Sequence, residues 1–286
     1  MRGDRARTAL SDEAQRSADR AFFIGLARAF GGAIFFSLPL LMTMEMWWLG
    51  FYMDRLRLVL FMVLMIPLLI GLDHYAGFKE TSTWGEDVVD GIVAYGVGFT
   101  ASAGILLLIN IIDFSMSPRE IIGKIALQAV PASFGAVLAS SQLGGGGDDE
   151  QRRKQAAGYG TELFFMAAGA IFLAFNVAPT EEMILIAFRM TSWHAIALAV
   201  VSLLLIHAFV YSVDFKGEET IPPETPWWSI VLRFTVVGYA IALLVSAYVL
   251  WTFGRYEGHV FAMYVKQAIV LGFPASIGAA AARLIL

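Results

Sequence analysis

Two acidic positions inside long apolar runs are the residues best placed to do chemistry. Glu45 lies within an apolar run over 22–52, and Glu182, with Glu181 beside it, within one over 162–188. A charge at the centre of a bilayer costs about 2.5–3.5 kcal/mol on insertion scales. Such a group faces protein or water, and an ion path is its default reading. Pro39 lies six residues before Glu45, and Pro179 three before Glu182. Proline removes one helical hydrogen bond and clashes with the carbonyl four residues back, which frees the oxygens of Phe35 and Phe175. Thr43, Thr180 and Asn176 add polar groups at the same level. Carboxylates, carbonyls and hydroxyls together suit a hard cation or a proton. The set selects no particular metal. The plainer alternatives are hydrogen-bonded or interface-reaching glutamates and ordinary proline kinks.

The arrangement occurs twice. Gly32 to Met46 aligns without a gap on Gly169 to Met183, at a shift of 137 positions, and the match continues to Phe78-Lys79 and Phe215-Lys216. A second register, shifted by 143, puts Trp84 on Trp227 and Pro131-Ala-Ser-Phe-Gly135 on Pro274-Ala-Ser-Ile-Gly278. Asp90 and Arg233 become equivalent under it and could form an ion pair between the copies. The small residues beside Pro131 and Pro274 read as close helix packing.

Helices must position these groups. Apolar runs fall near 22–52, 58–77, 88–112, 121–141, 162–188, 194–213, 228–253 and 261–285. With 58% hydrophobic and 15% charged residues, the chain is too apolar for a soluble domain. Runs of about 20 apolar residues cross a bilayer, and they lack the alternation of a membrane barrel. The expected fold is an all-α polytopic membrane protein with eight transmembrane helices, arranged as two parallel four-helix repeats about a pseudo-two-fold axis. A charged arm takes 1–21, the first repeat 22–142, a Gly-rich charged linker 143–160 and the second repeat 161–286. Lys and Arg number twelve on the side of the amino terminus and seven on the other. That places both termini in the cytoplasm, and no cleavable leader is expected. The tryptophans fall near helix ends, as interfacial anchors do.

Several classes drop out. There is no cysteine, hence no thiol chemistry or Cys-ligated zinc. A net charge of −4 without a basic stripe excludes a nucleic-acid partner. His74, His194, His207 and His259 lack the spacing of a one-helix metal site, and Gly144–Gly147 lacks the Lys-Ser/Thr of a phosphate loop. Lys124, Gln128, Lys266 and Gln267 read as interfacial or packed polar groups. No catalytic set and no cofactor are expected. The favoured function is an ion channel or transporter for cations or protons in a bacterial inner membrane. The partners are the bilayer, the cation and a possible second copy of the chain. The alternatives are a scaffold or sensor subunit and, third, a lipid-handling enzyme.

Met42-Thr-Met-Glu-Met-Trp-Trp48 and Ala178-Pro-Thr-Glu-Glu182 resemble segments of a family of uncharacterised bacterial integral membrane proteins. The resemblance spans most of 22–286. It implies a bacterial membrane protein and carries no activity with it.

Overall fold

The computed structural model describes residues 2–76, 84–143, 158–212 and 226–285, and no strand occurs among them. Helix α1 (Arg2–Leu41) runs 40 residues without a break, about 60 Å at 1.5 Å per residue. That is twice the hydrocarbon thickness of a bilayer. Its membrane-crossing part is Phe22–Leu41. The charged arm expected at 1–21 is helical from Arg2 and continuous with the span.

The runs over 22–52 and 162–188, each expected as one proline-broken span, are each split into two helices. After α1 comes the short α2 (Met44–Tyr52). In the second half, α6 (Tyr159–Val177) gives way to α7 (Glu181–Arg189). The breaks have a local cause. Thr43 (φ −94°, ψ 118°) and Thr180 (φ −75°, ψ 144°) are extended, just past Pro39 and Pro179. An unbroken helix over 22–52 would also be about 46 Å long and overshoot the hydrocarbon.

The remaining helices are α3 (Arg55–Ala76), α4 (Trp84–Leu108), α5 (Pro118–Leu143), α8 (Ser192–Ser212), α9 (Trp227–Ile230), α10 (Val237–Thr252) and α11 (Phe261–Ile285). A π-helical turn, Val231–Val236, joins α9 to α10. Eight helical stretches among the described residues are long and apolar enough to cross a membrane, and each matches one of the apolar runs. The linker expected at 143–160 lies largely outside the described residues.

In the first half α5 is the hub, packed by α1, α2, α3 and α4; in the second half α11 is, packed by α6, α7, α8 and α10. Both hubs depend on glycine. A Cβ on Gly32 would collide with the Gly135 carbonyl oxygen and the Ala139 side chain, and one on Gly169 with the Gly278 carbonyl oxygen and Ala282. Small side chains let the backbones touch there. The spans alternate, so their ends form an N-terminal face, near Phe22 and Tyr159, and a far face, near Leu41 and Val177.

Candidate functional site

The two helix breaks lie at the far face, and their exposed carbonyls are occupied. In the first, the Leu40 oxygen accepts from Gln128 Nε2 (3.0 Å) and from the Thr43 amide (3.1 Å). The Leu41 oxygen accepts from Trp47 Nε1 (2.8 Å), and the Pro39 oxygen from Thr43 Oγ1 (2.5 Å). In the second break, the Pro179 oxygen accepts from Arg255 Nη2. The Val177 oxygen accepts from Thr180 Oγ1 (2.8 Å), and the Phe172 oxygen from Asn176 Nδ2 (2.8 Å). At the other end of α7, Lys266 Nζ donates to the Met190 oxygen (2.7 Å). These donors meet the need of any helix end whose last carbonyls lack an intrahelical partner. Thr43, Thr180 and Asn176 thus spend their polar atoms locally.

The glutamates open the short helices. Glu45 is in the first turn of α2, and Glu181 and Glu182 in the first turn of α7; neither threonine N-cap makes a side-chain cap. A carboxylate in the first turn of a helix is stabilised by the amide dipoles, by about 0.3–1 kcal/mol at the surface. Glu45 is half-buried, and Glu181 and Glu182 are exposed. None of the three joins the ion pairs Arg57–Glu257, His74–Asp87 and Lys124–Glu120. No group of three or more His, Asp or Glu that could hold a metal occurs among the described residues. Helix α2 rests on α5, and α7 on α11, so each glutamate position belongs to its own half.

At the N-terminal face, His74 Nδ1 lies 2.7 Å from Oδ2 of the buried Asp87. Asp87 sits just before the apolar run of its span, which is why the sequence passed over it. No ion pair joins Asp90 to Arg233. Arg233 lies exposed on the π-helical turn, where its carbonyl accepts from Tyr159 Oη (2.8 Å). His207, on α8, has Nδ1 3.2 Å from Thr235 Oγ1.

Among the described residues outside the membrane-spanning segments, two groups are shifted. Asp113, between α4 and α5, accepts hydrogen bonds from the Ser115 hydroxyl and amide, and these hold its carboxyl below the usual range. Burial, with Tyr264 alongside, pushes the Tyr256 hydroxyl up to about 12.

Between the halves the far side is closed. Phe61 of α3 meets Phe175 and Phe253 edge-on at centroid distances of 5.1 and 5.9 Å, and Phe134 lies 6.3 Å from Phe175. All four rings are buried. Above them Arg57 Nη1 binds Glu257 Oε1 at 2.7 Å, and its guanidinium sits 5.3 Å from the Trp251 ring centre. Further toward the N-terminal face a partly open cavity of about 200 Å³ lies between the halves, and past it they meet again, Tyr75 of α3 against Phe164 and Phe165 of α6 at 5.4 and 6.2 Å. Phe36, Phe134, Leu138, Phe172, Leu173 and Gly278 are among its lining residues. Sequence reasoning missed this interface, because its members are ordinary apolar residues and one far-face arginine.

These features define a polytopic helical membrane protein with eight candidate spans. The chain belongs to the family described as "Putative integral membrane protein (DUF2391)", whose model matches residues 25–286. No curated protein and no solved structure was found to match it.

Proposed function

We propose that this protein is a transporter rather than an enzyme, and that solute passes between two like halves that rock against each other. The halves are read as two copies of one four-helix unit. The Gly32–Gly135 crossing beside Ala139 and the Gly169–Gly278 crossing beside Ala282 involve the pairs that the 137 and 143 registers equate. The ends of α4 and α10 support the same reading. Each has a residue at positive φ, Asn110 (58°) and Gly254 (70°), and the next amide bonds back to Leu106 or Leu250. Those positions differ by 144, one more than the register at Trp84 and Trp227, and a π-helical turn holds one extra residue. An even number of spans per copy makes the copies parallel. Parallel repeats are one of the transporter architectures, with the solute site between the halves. The surplus of Lys and Arg on the N-terminal side supports a cytoplasmic placement for that face.

The observation that carries the proposal is a cavity held between the halves by contacts on both of its sides. Rings and the Arg57–Glu257 pair close the interface at the far face, and Tyr75 against Phe164 and Phe165 closes it toward the N-terminal face, with the cavity between. The test uses the absence of native cysteine. Spin labels at Leu56→Cys and Val260→Cys, both exposed positions, report the far-side gap. Two distance populations are expected, and the charge reversal Glu257→Lys should favour the longer. One distance that ignores the reversal would sink the reading.

A second reading, cation transport, is favoured by Glu45, Glu181 and Glu182 standing outside every ion pair among the described residues. They would attract a cation at the far face rather than cage it, since the neighbouring carbonyls already accept bonds. Far-face segments 42–57, 109–124, 178–192 and 253–266 hold seven acidic and seven basic residues. Any attraction is therefore local to the breaks. Liposomes carrying the protein should pass a monovalent cation, and the Glu45→Gln, Glu181→Gln, Glu182→Gln triple variant should not.

A further inference from the structure

We propose that the cavity between the halves is a binding site for the acyl chain of a membrane phospholipid. Its depth comes first. Phe36, Leu72, Phe134, Leu138, Phe172 and Gly278 all lie inside candidate spans, so hydrocarbon surrounds the protein at their level.

Its wall comes second. The lining is made of Phe, Leu, Ala and Gly, with no side chain that donates or accepts a hydrogen bond. Water needs two to four polar partners to stay in such a place. Apolar cavities of about 150 Å³ remain dry and take up benzene or xenon instead. A cation would lose its hydration there with nothing to replace it.

The size and shape have a cause in the sequence. Gly169 and Gly278 draw α6 and α11 into backbone contact, as the clash of an added Cβ shows. Ala168, Ala281 and Ala282 then present too little bulk to reach the first half. On the far side the space ends at Phe134, which touches the Phe175 ring. A chain therefore threads in below the ring cluster. An empty space would forfeit the dispersion contacts of all the side chains around it, and a flexible run of methylenes restores them.

This inference rests on the transport reading in one respect only: if the halves rock, the phospholipid is the class of solute they handle. The experiment uses the full-length protein in vesicles of phosphatidylcholine and phosphatidylglycerol. A tenth of the phosphatidylcholine carries a diazirine midway along one acyl chain (roughly 10 mol%, a tracer level that leaves hydrocarbon as the bulk solvent). After illumination, adducts are mapped by peptide mass spectrometry. The expected result is labelling of Phe134, Leu138, Phe172 and Leu173 at least as strong as that of Leu244, an exposed residue of α10.

Ala281→Phe and Leu138→Phe fill the cavity from opposite walls. Each should cut the cavity adducts by about tenfold, the effect of excluding about two methylenes. Leu244→Phe should leave them unchanged. Two filling variants guard against one failing to fold, and thermal unfolding in detergent identifies a misfolded one. Adducts confined to the outer surface, or cavity adducts that survive both variants, overturn the proposal. Cavity adducts together with a single Leu56–Val260 distance keep the lipid site and remove the transport reading. Two distances without cavity adducts do the reverse.

Discussion

The two helix breaks share a backbone and differ in what fills it. At the first, the carbonyl donors are neutral: Gln128, Trp47 and Thr43. At the second, Arg255 takes the Pro179 oxygen and Lys266 caps the far end of α7. The acids differ in step, with one glutamate in the first turn of α2 and two in that of α7. The break is thus set by the proline and the extended threonine, and the caps need only be donors. The break with two glutamates has a cationic donor, Arg255, on its carbonyl. The same backbone device thus works with different chemistry around it.

The largest expected effect removes the scaffold common to both breaks. Gly278→Leu and Gly135→Leu each push a side chain into a facing backbone carbonyl. Overpacking costs about 1–3 kcal/mol and occasionally more, and backbone cannot swing aside. Both variants should fall at or beyond the upper end in detergent unfolding. A large loss in one half and none in the other would break the equivalence of the crossings.

Next come the caps. Gln128→Leu leaves the Leu40 oxygen with the Thr43 amide alone, and Arg255→Leu leaves the Pro179 oxygen without a donor. A buried group without its partner costs about 1–3 kcal/mol. Arg255→Gln should recover part of that loss if a donor is all the second break needs. No recovery would mean the charge itself matters there, and the comparison would sharpen accordingly.

Substituting the acids should do less. Glu45→Gln removes one first-turn charge, worth about 0.3–1 kcal/mol, and Glu181→Gln with Glu182→Gln up to twice that. High salt should shrink both effects. An effect on stability several times larger would show these carboxylates to be buried and engaged.

The smallest effect concerns the loop between α4 and α5. Asp113 has its pKa lowered by Ser115, so its contribution is present above the ordinary carboxylate value and lost as pH falls through the depressed one. Protection from hydrogen exchange over 109–117, corrected for the intrinsic pH dependence of exchange, should fall on acidification, and Ser115→Ala should lower it already near neutrality. The facing turn after α10, which has no such aspartate, should respond less.

Much of the architecture was legible in the residues. The eight apolar runs are the eight candidate spans, because only helices satisfy their own backbone in lipid. A break at each proline was read, but not the separate short helix beyond it, since Met44–Tyr52 is as apolar as what precedes it and hydropathy does not register an extended threonine. The signal was there in another form: a run too long for a bilayer, with a threonine two residues before a glutamate, as at a helix start. The prolines and glutamates lie together at the breaks, but spacing alone could not reveal that the carbonyls already had donors. Gln128 and Arg255 are distant in sequence, and only the fold brings them to the breaks. Asp87 was missed at a run's edge, and the cavity because a void is a property of packing and leaves no residue type behind.

Helix α1 carries one more consequence. It continues from Arg2 to Leu41 without a joint, so about half of it stands clear of the hydrocarbon as a stiff lever. Torque applied to that lever has no slack in which to dissipate. Turning it would rotate the Gly32 contact against α5, coupling whatever grips the projecting half to the hub of the first half.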